Sequence, residues 1–287
     1  MRKIDFDKIA QTVESLCISA AYELPDDIID ALKTARKKES HAPAADILDK
    51  LITNAELASS ESIPLCQDTG LAVIFVELGA DVTVCAKTAD KQLNLIDALN
   101  AGVAAGYENG YLRKSVVAEP LNERINTGTN TPAIIHITIV PGDKLKISLI
   151  TKGGGCENKS RIKIFPPTAK KQQIIDYITR TAENAGADAC PPFIIGVGIG
   201  GDFELAAILS KKALLRPLSS RHYDPFYAEL EEQTLEKINQ LGLGPQGMGG
   251  HTTALACLIE TAPCHIASLP VAVNIDCHSH RHKSATL

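Results

Sequence analysis

Near the N-terminus, apolar positions recur with the period of a helix. Ile9, Val13, Leu16, Cys17 and Ala20 stand at i, i+4, i+7, i+8 and i+11, which predicts an amphipathic helix. A second helix is predicted after Pro25, where Asp26 and Asp27 meet the positive end of the helix dipole. A third is predicted over residues 43–58. Leu71–Val76 reads as a buried strand and residues 92–107 as another helix. From 133 to 151 the period falls to two. Ile135, Ile137 and Ile139 are followed by a turn at Pro141-Gly142-Asp143 and then by Leu145, Ile147 and Leu149, which predicts a β-hairpin with one polar face. Residues 169–184 read as helix, and Phe193–Val197 as a short strand entering a glycine-rich turn. Residues 203–215 and 225–241 read as two further helices. The apolar run 266–275 is β-like and precedes a His-rich tail.

This order of elements predicts a mixed α/β (α+β) protein. A helical N-terminal segment is followed by mixed sheets flanked by helices, with room for two lobes. Composition refines the picture at a few points only. There is no Trp, so the core must be built from Ala, Ile, Leu and Val. A net charge of −5 lacks the concentrated basic face that a nucleic-acid partner requires. The pairs Lys170-Lys171 and Lys211-Lys212 read as solvated helix faces. No stretch approaches the roughly 20 continuous apolar residues that cross a bilayer, and the charged start Met1–Asp7 has no signal-peptide core. The expected setting is the cytoplasm, where the 8 cysteines are free thiols or metal ligands rather than disulfides.

Three of those cysteines lie beside turn formers or at the end of apolar runs, where a thiolate can face a cleft: Cys66 in Pro-Leu-Cys-Gln-Asp-Thr-Gly70, Cys190 in Ala-Cys-Pro-Pro192, and Cys277 in Asn-Ile-Asp-Cys-His278. Cys17 and Cys257 read as small apolar filler, and Cys85 as part of a strand. No C-x-x-C occurs, which disfavours zinc ribbons, thioredoxin-type pairs and ferredoxin runs. Widely separated thiolates remain able to hold three irons of a cube and leave the fourth open. The run Gly196-Val-Gly-Ile-Gly-Gly201 fits the dinucleotide fingerprint weakly. About 20 residues on stands Arg221, not an acidic residue, so a tight strand–helix turn is the better reading. Lys152-Gly-Gly-Gly-Cys-Glu-Asn-Lys-Ser160 lacks Walker spacing but makes a candidate anion nest. Asn126–Pro132 is a dense polar turn, able to supply donors to a carboxylate. His278, His280 and His282 read as a solvated or partner-facing tail.

The three cysteine blocks resemble the α subunit of the class I fumarases, a family of 4Fe–4S hydro-lyases. The resemblance extends through Asn126–Pro132, Lys152–Lys159, Gly196–Gly201, Gly244-Pro-Gln-Gly-Met-Gly-Gly250 and Ala262-Pro-Cys-His265, in family order over nearly the whole chain. It implies one fumarase-type α-subunit domain over 1–287, with Cys66, Cys190 and Cys277 each ligating one iron of a 4Fe–4S cluster whose fourth iron stays open for substrate. It implies that Gln67, Asp68, Arg113, Gly154, Asn158 and Lys159 line a dicarboxylate site. Asp68 is the expected proton-handling group, and His265 is expected to lie close to substrate and cluster. Single-chain members carry a second domain after the third cysteine. Here the chain ends at Leu287, so the resemblance implies a separate β subunit and an α2β2 assembly.

Reversible hydration of fumarate to malate is the expected reaction. The alternative is an L(+)-tartrate dehydratase α subunit on the same plan, and Asn130-Thr-Pro132 and Lys152 before the triple glycine favour fumarase. A different class remains open: a non-catalytic iron–sulfur sensor or electron carrier, with Cys264 as a fourth thiolate.

Overall fold

The computed structural model describes residues 1–85 and 93–287. In chain order its helices are α1 (Phe6–Tyr22), α2 (Asp26–Lys38), α3 (Ala42–Glu61), α4 (Leu95–Asn109), α5 (Gly154–Glu157), α6 (Lys171–Ala185), α7 (Phe203–Ala213) and α8 (Pro225–Asn239). The strands are β1 (Arg2–Asp5), β2 (Leu71–Gly79), β3 (Val82–Cys85), β4 (Ile134–Val140), β5 (Leu145–Lys152), β6 (Arg161–Phe165), β7 (Phe193–Gly201), β8 (Ala254–Cys264), β9 (Leu269–Asp276) and β10 (His282–Thr286). The expected mixed α/β class is therefore what is found. Among the described residues no helix is long and apolar enough to cross a membrane. Gln92, the expected start of the fourth helix, lies outside the described residues. Two compact units divide the chain: Met1–Leu24 with Leu57–Gly153 and Arg281–Leu287, and Pro25–Glu56 with Gly154–His280.

In the first unit a four-stranded sheet runs β10-β5-β2-β4. The stripe read from sequence is its lid: Ile9, Val13, Leu16, Cys17 and Ala20 of α1 are all buried, as are Leu95, Ala98, Leu99 and Val103 of α4. Both sets pack with Ile74 and Val76 of β2 and with Leu145, Ile147 and Leu149 of β5. Burial pushes the Cys17 thiol up to about 12, as filler in an apolar stripe requires.

The expected hairpin over 133–151 is overturned. Both arms are strands, but β2 lies between them, parallel to β4 and antiparallel to β5. The physical reason is that β2 is apolar on both faces and needs a neighbour on each edge, and its end is tied to the connecting turn by Gly79 N–H to Lys144 O and Asp81 N–H to Gly142 O. The tail reading is overturned as well. Residues 282–286 form β10, paired antiparallel with β5, and the residues leading to it are buried: Ser279, His280 and Arg281 are at most 4% exposed.

The second unit holds the sheet β6-β9-β7-β8, in which β7 is parallel to β8 and antiparallel to β9. Its central strand β7 is buried along almost its whole length and divides its two faces by residue size. Ile195, Val197 and Ile199 join the core made with Ile174, Ile175 and Ile178 of α6 and Leu230 and Ile238 of α8. Gly196 and Gly198, on the alternate face, lie against α7, where a Cβ would stand 2.1 Å from Ser210 O and 2.0 Å from Ala206 O. The glycines of the weak dinucleotide match thus serve helix–strand packing, and no room is left there for a pyrophosphate. Cys257 is buried in this core, and burial raises its thiol pKa. Lys211, read as solvated, instead turns toward Glu157 as an ion pair with its side chain 15% exposed.

Two outcomes test this packing. Gly198→Ala drives a methyl into the carbonyl of Ala206 and is expected to cost more than the ~1–3 kcal/mol of ordinary overpacking, seen as a lowered urea midpoint. Tyr107, fully buried on α4, directs its hydroxyl to Thr69 O at 2.9 Å and Gly70 O at 2.8 Å. Tyr107→Phe removes that donor and is expected to destabilise by about 1–3 kcal/mol in the same measurement.

Candidate active site

The loop between α3 and β2 carries Cys66, Gln67 and Asp68, and several independent contacts hold it within the first unit. Leu65 N–H donates to Ala21 O at 2.9 Å, at the end of α1. Gly70 takes φ +82°, and a Cβ there would lie 2.8 Å from the Thr151 backbone, so the chain turns against β5 at a place that only glycine fits. Tyr107 and Asn130 both donate to Gly70 O, the latter at 3.2 Å. Asp68 Oδ1 accepts the Gly70 N–H at 3.0 Å, which orients the carboxylate. Thr69 Oγ1 donates to Arg113 O at 2.8 Å, so Arg113 begins the next loop beside this one with its side chain exposed. Gln67 is exposed and Cys66 half-buried, with Cys66 Sγ 3.6 Å from Gln67 Oε1. Four expected site residues therefore share one rim of the unit.

Arg281, which sequence reasoning missed, joins them. It is buried, donates from Nη1 to Asp68 O at 2.7 Å, and accepts at its own carbonyl from Thr151 N at 3.1 Å. Taking the residues after Cys277 as a solvated tail concealed it. The available signal was the alternation in His282-Lys-Ser-Ala-Thr286, too polar to read as a strand.

In the second unit Cys190 ends a short 3-10 turn, Ala187–Ala189, with φ +54°. Its carbonyl accepts from His278 N at 3.4 Å, which sets Cys277 beside it. His278 Nδ1 lies 3.1 Å from that same carbonyl and 3.0 Å from Gln246 Nε2, so the ring donates to Cys190 O in one tautomer and accepts from Gln246 in the other. Gln246 donates through both its backbone N, at 2.8 Å, and its Nε2, at 3.1 Å, to Pro191 O. Three blocks far apart in sequence, Ala189–Pro192, Gly244–Gly250 and Asp276–His278, thus close on one spot. Gln246 and His278 are framework residues; the sequence reading named Gln246 only within its block and took His278 for the start of a solvated or partner-facing tail, which these bonds overturn.

The Gly154–Lys159 block reaches the same spot. Lys159 forms an ion pair with Asp188 at 3.2 Å, in the turn that presents Cys190. Cys156, from α5, is buried and donates to Ala189 O at 3.3 Å. Gly154 and Asn158 are exposed on this side, and Asn158 N–H closes the short helix on Gly154 O at 3.0 Å. One grouping was not anticipated. The ligand atoms of Cys156, Asp276 and Cys277 all lie within 4.8 Å of one another.

His265 stands elsewhere. It is exposed in the turn before β9, where its Nδ1 accepts from Ala267 N at 3.1 Å, whereas Cys277 follows the last residue of β9. That 8-residue strand spans roughly 25 Å at about 3.3 Å per residue, so within one chain it holds His265 away from Cys277.

Cys17, Cys156 and Cys257 are buried, Cys264 is exposed, and Cys66, Cys85, Cys190 and Cys277 are half-exposed; of these four, Cys85 is the last residue of β3, while Cys66, Cys190 and Cys277 sit on loops, open to an external group. The donor chemistry fits an iron–sulfur cluster.

Comparison with known proteins agrees. The model of the family described as "Fumarate hydratase (Fumerase)" matches residues 10–286. A Methanocaldococcus jannaschii protein named "Putative L(+)-tartrate dehydratase subunit alpha" is 39% identical over 278 residues, 96% of this chain and 95% of its own. The L(+)-tartrate dehydratase subunit alpha of Escherichia coli K12 is 31% identical over 277 residues, 96% of this chain and 89% of its own. The chain belongs to the fumarate hydratase family, among its iron–sulfur hydro-lyase α subunits.

Proposed function

We propose that this chain is the cluster-bearing α subunit of a dehydratase whose substrate is L(+)-tartrate, with Cys66, Cys190 and Cys277 as the iron ligands. The observation that carries the reading is the convergence of the Cys190, Gln246 and Cys277 blocks within a family of iron–sulfur hydro-lyases. Full-length relatives named for tartrate favour that substrate over fumarate. The residues that weighed toward fumarase lose their force on inspection. Asn130 is fully buried, its Oδ1 accepting from Ser115 N at 2.7 Å and its Nδ2 donating to Gly70 O, and Lys152 is 2% exposed in β5. Both serve the framework and report little about substrate. Fumarate remains the second reading, supported by the family's own description.

Cys66, Cys190 and Cys277 would hold a 4Fe–4S cluster, which when bound would supply Lewis-acid assistance to a departing hydroxyl. The chain's residues supply the rest. Arg113 and Lys159 offset the charge of a dicarboxylate that grows as the proton α to a carboxylate is removed, and the Gly154 N–H adds a fixed donor. Gln67 and Asn158 orient the substrate through their amides. Asp68, its carboxylate aligned by Gly70 N–H, accepts the α proton. Loss of that proton and of hydroxide from tartrate leaves an enol, which becomes the oxo-dicarboxylate.

Because the relatives are named as subunits alpha, a separate β subunit and an α2β2 assembly are part of this proposal. A reducing, cytoplasmic setting suits the free cysteines.

With the β subunit present and under anaerobic conditions, steady-state assays on L(+)-tartrate, fumarate and mesaconate are expected to give the highest kcat/KM for tartrate; faster turnover of fumarate would reverse the order. Iron and sulfide analysis is expected to show at least half of the cluster lost in each of Cys66→Ser, Cys190→Ser and Cys277→Ser, while Cys17→Ala and Cys257→Ala retain it. Full iron in Cys190→Ser would remove the ligand assignment. A paramagnetic resonance spectrum of the reduced cluster that fails to shift with dicarboxylate would favour an electron carrier or sensor.

A further inference from the structure

Cys156 and Asp276 have no part in the reaction just described, yet both are buried beside one of its expected ligands. Cys156 is 5% and Asp276 2% exposed, and with Cys277 their ligand atoms fall within 4.8 Å of each other. A single tetrahedral ion with metal–sulfur bonds of about 2.3 Å and metal–oxygen bonds of about 2.0–2.2 Å holds its donors roughly 3.5–3.8 Å apart, so side-chain rotations that close the group by up to about 1 Å would bring these three atoms onto one ion. The donors are also anchored as ligands to one ion commonly are. Asp276 Oδ1 accepts from Cys277 N at 3.1 Å, and Oδ2 lies 2.5 Å from His280 Nδ1. The other nitrogen of that ring, Nε2, is 2.7 Å from Leu214 O, so the histidine is held at both ends and fixes the carboxylate.

We propose that Cys156, Asp276 and Cys277 form a site for one thiophilic divalent cation, of the zinc or ferrous type, in the chain that has no cluster. Two thiolates and a carboxylate are the soft-and-hard mixture that such ions accept in tetrahedral geometry, with water as the fourth ligand. Binding releases the thiol protons, and the S–H bond of Cys156 to Ala189 O is exchanged for a metal–sulfur bond. Because Cys277 cannot serve both groups, a cation here competes with the cluster; that consequence rests on the proposed role of Cys277, whereas the cation site itself does not.

Cobalt(II) is the probe. Added anaerobically to the full-length chain after its cluster has been removed, it is expected to give thiolate charge-transfer and intense tetrahedral d–d bands at one equivalent, reversed by zinc. Cys156→Ala should weaken binding at least tenfold, and Cys66→Ala and Cys190→Ala should leave it unchanged. In the wild-type chain, which avoids any folding defect of the variant, zinc should protect the half-buried Cys277 from alkylation while Cys66 remains reactive. The proposal is overturned if no stoichiometric cobalt binds, or if binding survives Cys156→Ala and is lost in Cys66→Ala or Cys190→Ala. Iron and sulfide retained or lost in the Cys66 variant reports on the cluster separately.

Discussion

The carbonyl of Cys190 is the point on which the framework of the second unit's candidate site depends. It accepts the backbone N–H of His278, 88 residues away in sequence, and lies within reach of the His278 ring. The next carbonyl, that of Pro191, accepts twice from Gln246. Such bonds are made to backbone atoms, so they fix where the chain runs and leave the two sulfurs out of the knot itself, on residues that are only half-buried. Around this knot the two-faced β7 supplies rigidity, with isoleucine and valine toward α6 and α8 and glycine toward α7.

The first unit uses the same strategy at a single residue. Gly70 presents its carbonyl to Tyr107 and Asn130, its N–H to Asp68, and its bare Cα to β5. The loop that carries Cys66, Gln67 and Asp68 therefore inherits the order of α4 and the sheet. Arg281 completes the arrangement by donating to Asp68 O from the buried segment just before β10. In both units the candidate side chains Cys66, Gln67, Asp68, Cys190 and Cys277 lie on loops, and buried polar groups carry the cost of holding those loops still.

That division of labour explains what could be read from sequence. The half-buried, loop placement of Cys66, Cys190 and Cys277 was legible because turn formers surround them, and turn formers mark places where the chain leaves the core. Asn130 and Lys152 carry little weight on substrate because a polar residue in a polar stretch looks the same in sequence whether it faces substrate or lies buried in the framework. His265 illustrates another limit. Its position in a family block carries no information about distance, and an intervening strand sets that distance.

By itself the sequence determined the class of fold, most of the helices, the strand character of 133–151 and the family, because each rests on local periodicity or on residue identity within short blocks. Only the tertiary structure decided that β2 divides the expected hairpin, that residues 279–281 are buried and His282–Thr286 forms a strand, and that Cys156 stands beside Cys277. The reason is physical. Periodicity reports which face of an element is covered, but hydrogen bonds to a neighbouring strand run in the plane of the sheet and leave no trace in the order of apolar residues along the chain.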